Sequence, residues 1–110
     1  MGAVLGQALE MSEDTIAEIG IDEDERLYVR PALASFPYIY RAAMEVNWDN
    51  QARRLFSPKP RKWTYADWFK QIIEATSDEY GIRLKLAADT IFVNVPDALR
   101  SEIQSYCQSA

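Results

Sequence analysis

Chemistry in this chain would have to come from aromatic rings, carboxylates and surface cations. Among its 110 residues there is no histidine, and Cys107 is the sole cysteine. Without histidine the chain lacks the commonest general base and the commonest transition-metal ligand. Ser-His and Cys-His nucleophile pairs therefore cannot be assembled from its own residues. One cysteine also excludes an internal disulfide and a cysteine-rich metal site. The four glycines are scattered and form no phosphate loop. No catalytic residue, cofactor or metal is expected, and the expectation is that the protein is not an enzyme.

Two constellations remain. The first is aromatic and basic. Trp48, Trp63, Trp68 and Tyr80 could line a pocket for a small ligand. Residues 53–62 carry Arg53, Arg54, Lys59, Arg61 and Lys62 and no acid. Rings interleaved with cations resemble a single-strand nucleic-acid platform, where bases stack and phosphates meet positive charge. The helical spacing of the rings already explains them as core and staple residues, and that reading is preferred; the net charge of −5 also argues against nucleic acid for the chain as a whole. The second constellation is acidic. Residues 10–25 hold Glu10, Glu13, Asp14, Glu18, Asp22, Glu23, Asp24 and Glu25 and no base. Asp22 to Glu25 offer hard oxygens, but without the glycine and the spaced terminal Glu of a calcium loop. A solvated linker is expected, or an acidic segment lying on the basic one, within a chain or across a dimer. The remaining carboxylates, among them Glu45, Glu74, Asp78 and Glu79, are read as surface charges, and Asp67 as a helix cap.

The elements that must position these residues follow from period and punctuation. The firmest is the helix begun by Trp63-Thr64-Tyr65-Ala66-Asp67-Trp68-Phe69. Thr64 is placed as the N-cap with Asp67 three residues on, and Trp63 and Trp68 are spaced as a hydrophobic staple. Tyr65, Trp68, Phe69, Ile72, Ile73 and Tyr80 form the apolar stripe, and Gly81 is a left-handed stop. Pro96 opens a last helix, with Leu99, Ile103, Tyr106 and Cys107 inward. Upstream, Ser12 is read as the cap of a short helix ended by Gly20, after a loose stretch of eleven residues. A strand is expected near residues 26–30. From Tyr38 to Asp49 the period is two, which predicts a long strand, with a helix over 38–44 as the rival. Asp49-Asn50-Gln51 turns the chain into a return strand over 53–57, closed by Pro58 and Pro60. Residues 82–86 and 90–95 read as two further strands joined by a turn at 87–89.

With 48% hydrophobic, 12% aromatic and 26% charged residues, the composition is globular. The expected architecture is α+β: an antiparallel sheet of about five strands with two helices packed on one face. The expected division is an acidic, partly flexible segment over 1–24 and a single domain over 25–110. The outer sheet face, with Ile39, Leu55 and alternate residues of 90–95, is expected to be mixed enough to favour dimerisation. Met1 to Gly6 lacks the basic flank of a secretory signal and the Ser or Thr of a myristoylation motif, and no run is long enough for a membrane span. A cytoplasmic location is expected.

The run from Trp48-Asp49 through Pro58, the Trp63–Phe69 segment, Glu79-Tyr80-Gly81, Thr90 and Asn94-Val95-Pro96 resembles short proteins carried as integron gene cassettes in environmental bacteria. The resemblance covers about 45–100. It implies a small bacterial α+β protein, often oligomeric, and assigns no activity or catalytic residue. The functional expectation is a cytoplasmic binding or adaptor protein acting through protein contact as a homodimer. The alternatives are a small-molecule binder with the aromatic pocket and a nucleic-acid binder using 53–62.

Overall fold

The computed structural model describes residues 12–109. Five strands and two helices follow one another: β1 Ser12–Ile21, β2 Leu27–Pro31, β3 Asn47–Asp49, β4 Arg54–Phe56, α1 Tyr65–Tyr80, β5 Ile82–Val93 and α2 Asp97–Ser109. The strands form one sheet in the order β3-β4-β2-β1-β5. All neighbours are antiparallel except β1 and β5, which run parallel. Both helices pack against the sheet, and Phe69 of α1 meets Tyr106 of α2 edge-on at 6.1 Å. The core joins Ile16, Ile19, Val29 and Leu55 of the sheet to Phe69, Ile72, Leu99 and Ile103 of the helices. This is the expected α+β class, with a mixed sheet in place of a wholly antiparallel one. No helix among the described residues is long and apolar enough to cross a membrane.

Helix α1 begins as its sequence dictates. The Thr64 hydroxyl accepts from the Asp67 N–H at 3.1 Å and the Asp67 carboxylate accepts from the Thr64 N–H at 3.0 Å. These reciprocal bonds satisfy donors that the first turn leaves free. Gly81 stops the helix at φ 65°, a conformation that glycine adopts without a Cβ penalty.

Three expectations are corrected. The helix capped by Ser12 is instead β1, an interior strand paired on both sides; the expectation of a loose first stretch falls on residues 1–11, outside the described ones. The error has a physical source. A register shift between Ile16 and Glu18 places Ile16 and Ile19 both in the core, so a bulged strand imitates the i, i+3 spacing of a helix. Gly20 ends no helix. A Cβ there would collide with the hydroxyl and ring of Tyr28. The long strand expected from Tyr38 to Asp49 is reduced to its last three residues. Ile39–Arg41 is a single 3-10 turn, and Phe36, Ile39, Ala43 and Val46 are buried while Tyr38, Tyr40 and Met44 face solvent. Local bonds such as Arg41 N–H to Tyr38 C=O, at 3.0 Å, satisfy this backbone, and only Asn47–Asp49 pairs with β4. Ile39 and Leu55 consequently lie in the core, not on an outer face. Lastly, 82–86 and 90–95 belong to one strand. Both halves pair with β1, and the residues between Leu86 and Ile91 loop out. The Thr90 hydroxyl stitches that loop, accepting from Ala87 N–H at 2.8 Å and donating to Ile16 C=O at 2.7 Å.

Candidate functional site

The four aromatic residues proposed to line one pocket fall into two separate clusters. Trp48 and Tyr80 flank Phe36, edge-on at 5.9 and 5.0 Å. Tyr80 donates no structure to a cleft: its hydroxyl accepts from the Tyr38 N–H at 2.8 Å. Trp48 packs against the core, and its buried indole N–H has no hydrogen-bond partner among the described residues. Trp63 and Trp68 form the other pair, ring centroids 4.7 Å apart. Trp68 is buried, whereas Trp63 is 45% exposed.

The five bases divide in the same way. The Arg54 guanidinium lies 3.9 Å from the Tyr28 ring centroid, and Arg53 donates to the Ser35 hydroxyl at 2.9 Å. Lys59, Arg61 and Lys62 instead rim a groove of about 510 Å³ whose walls are Trp63, Trp68, Met44 and Pro58. Part of the aromatic set and part of the basic set thus converge. The fold brings them together through two devices. Pro58 and Pro60 keep the segment after β4 out of any ladder, and the staple anchors Trp63 on Trp68 at the start of α1. Met44, 84% exposed, arrives from the loop before β3.

Acidic residues answer two of these cations. Lys59 Nζ lies 2.9 Å from Glu25, and Arg61 lies 4.0 Å from Glu45. The hydrogen bond and charge of Glu25 hold the Lys59 ammonium above its ordinary pKa. The expectation that the acidic segment lies on the basic one therefore holds within the chain at this pair. Elsewhere the segment is less solvated than expected. Asp14 accepts from the Leu33 and Ala34 N–H groups, and Asp22 from the Asp24 and Arg26 N–H groups. Pro58 was read from the sequence only as a strand breaker, Glu25 only as part of the acidic run and Glu45 only as a surface charge, and none of them, nor Met44, was placed at a groove. The turn chemistry of Asp22 is a local signal for the position of Glu25; Glu45 has none.

The sheet face turned away from the core carries a second charged cluster. The Tyr28 hydroxyl donates to Glu18, which also pairs with Arg30 at 3.2 Å. Arg26 lies over the Phe56 ring at 4.9 Å. The Tyr28 hydrogen bond, outweighing burial, holds the Glu18 carboxyl below its ordinary pKa. Burial and the same bond push Tyr28 up to about 12. A further cleft of about 840 Å³ runs between β5 and the two helices, with Arg83, Lys85 and Arg100 opposed by Glu74 and Asp78. Cys107 lines it, and burial raises its thiol pKa, which disfavours the reactive thiolate.

The profile of the integron cassette protein Hfx_Cass5 family matches residues 14–90. The chain belongs to this family. A solved structure is also similar, described as a structure from the mobile metagenome of the North West Arm sewage outfall, integron cassette protein Hfx_Cass5. It is 45% identical, covering 91% of this chain and 99% of that one, with a TM-score of 0.45. No curated protein matches. "Integron cassette" describes the genetic element that carries the gene and assigns no activity, so a function for this member has to be argued from its surface.

Proposed function

We propose that this integron cassette protein is a non-enzymatic binding module, an adaptor acting through protein contact, and that the Trp63 groove receives an apolar side chain of a partner protein. One observation carries the reading. Two of the largest exposed apolar side chains, Met44 and Trp63, line the same groove, whose base is the buried Trp68. Large exposed rings beside a concavity are a recurrent anchor of protein interfaces. The small-molecule reading loses support because Trp48 and Tyr80 stand apart from this groove. Nucleic acid loses support because Arg53 and Arg54 are engaged elsewhere, and Lys59 and Arg61 already face carboxylates.

Peptide display against the purified protein, followed by nuclear magnetic resonance mapping of selected peptides, tests the proposal. The expected result is selection of peptides with an apolar anchor that shift the Trp63 indole N–H and Met44 methyl signals. Selected peptides that move only residues of the β5–helix cleft would overturn it. Self-association is a second reading, favoured by the exposure of Leu33, Tyr38 and Tyr40. Light scattering across a concentration series addresses it; a monomer throughout would refute it without touching the groove.

A further inference from the structure

Two of the groove's cations are paired with the chain's own carboxylates, Glu45 lining the groove and Glu25 reaching it through Lys59, and both glutamates stand on unusual backbone. Glu25 has φ 64° and Glu45 has φ 72°. Residues without glycine's freedom rarely adopt this left-handed region, and such strain gathers at binding sites. Each is fixed by local bonds. Glu25 N–H donates to Asp22 C=O at 3.0 Å and Glu25 C=O accepts from the Tyr65 hydroxyl at 2.9 Å; Glu45 C=O accepts from the Asn47 side-chain amide at 3.3 Å. Their carboxylates remain exposed, on Lys59 and Arg61. They differ in this from Asp14, Glu18 and Asp22, which hold backbone N–H groups or half-buried partners. Exposed ion pairs of this kind contribute little stability and exchange readily. Lys62, on the same rim, has no ion pair among the described residues.

We propose that Glu25 and Glu45 are internal stand-ins for the carboxylates of the partner. The groove takes a protein segment in which an apolar residue is flanked by acidic ones, and the two glutamates compete with it for Lys59 and Arg61. This rests on the groove being the binding site. Charge complementarity across the rim then sets which apolar segments are accepted, and the resident glutamates keep weakly acidic or neutral segments out of contact with the cations. A partner bearing several acids displaces both.

The test uses the full chain, isotope-labelled, and two capped hexapeptides, Asp-Glu-Leu-Phe-Asp-Glu and its neutral counterpart Asn-Gln-Leu-Phe-Asn-Gln, titrated while following the Trp63 indole signal. The acidic peptide is expected to bind about tenfold more tightly at low ionic strength, with the gap closing as salt rises. The double variant Glu25→Gln with Glu45→Gln should gain about threefold for the acidic peptide and nothing for the neutral one. Glu25→Gly with Glu45→Gly, which also relieves the backbone, should gain likewise and keeps the test valid if the glutamine variant folds poorly. Lys59→Gln with Arg61→Gln should erase the preference. Equal binding of the two peptides, or no gain in either glutamate variant, overturns the stand-in role and leaves the groove reading in place. If neither peptide moves the Trp63 signal at millimolar concentration, the groove reading fails as well.

Discussion

The outer sheet face and the Trp63 groove both gather bases and acids around an aromatic ring, and the two regions behave differently. On the outer sheet face Arg54 covers Tyr28, Tyr28 donates to Glu18, and Glu18 pairs with Arg30. Tyr28 is 4% exposed, and every member of the cluster is answered by another. At the groove, Lys59 and Glu25 are 61% and 60% exposed and Trp63 is half in solvent. Both regions combine aromatic, basic and acidic side chains, so composition does not separate a structural cluster from a binding surface. What separates them is whether the counter-charges are enclosed. An enclosed network has no open position for a ligand and loses much when one member is removed. An exposed rim loses little and can exchange its partners.

The largest effect should come from the enclosed side. Gly20 leaves the space that Tyr28 fills, and Gly20→Ala puts a methyl group into the ring and hydroxyl. Overpacking of this kind should lower stability by about 3 kcal/mol, read as a fall in denaturant midpoint. Removal of a rim charge should leave the midpoint almost unmoved. A Gly20→Ala midpoint equal to wild type would mean that Tyr28 can swing away freely and that the outer face is no more fixed than the rim.

Alkaline pH probes the same cluster with a smaller effect. Tyr28 is raised from 10.0 to about 12 in the folded chain. Its contribution is thus fully present below pH 10 and disappears as pH climbs through about 12, a loss of at most about 2.7 kcal/mol. Glu18 works in the opposite sense: its folded value is depressed, so its contribution is present above the ordinary carboxylate range and disappears in acid. Phenolate absorbance compared between wild type and Tyr28→Phe should place the missing tyrosine above the others, with unfolding steeper in alkali for wild type. A difference spectrum titrating near pH 10 would show the hydroxyl to be free of Glu18.

How much of this was legible follows from where the stabilising interactions lie in the sequence. The start of α1 was readable to the residue, because Thr64, Asp67, Trp63 and Trp68 act on one another within six positions. Gly81 and the inward face of α2 are local in the same way. Strand β1 was not readable as a strand, because its bulge is stabilised by Thr90, 74 residues away. Nor was its parallel partner, since nothing in a short window reports a pairing across the whole chain. The 38–46 loop shows an apolar alternation that the fold does not follow: Tyr38, Tyr40 and Met44 face outward, while Ile39, Ala43 and Val46 are buried. For the groove, the sequence supplied Trp63, Trp68, Lys59, Arg61 and Lys62. It could not separate them from Trp48, Tyr80, Arg53 and Arg54, because the division depends on which rings the 32–46 loop covers.

The smallest expected effect on stability decides most about function. Trp63→Ala removes the ring tilted against Trp68, a loss of about 1 kcal/mol or less, because the capping bonds of Thr64 and Asp67 hold the helix start without it. Thr64→Ala supplies the yardstick, at about 1 kcal/mol for a lost cap. Lys62→Gln should fall within about 0.5 kcal/mol of wild type. Both Trp63→Ala and Lys62→Gln should nonetheless weaken peptide binding at the groove, the first by tenfold or more on the scale of about 1.4 kcal/mol per decade. Chemical denaturation and peptide titration on the same samples separate the two quantities. A surface kept for contact should lose binding without losing stability. If Trp63→Ala instead costs as much as Gly20→Ala, the half-exposed ring is a structural staple, the two aromatic–cation regions are alike, and the groove loses its claim to be a site.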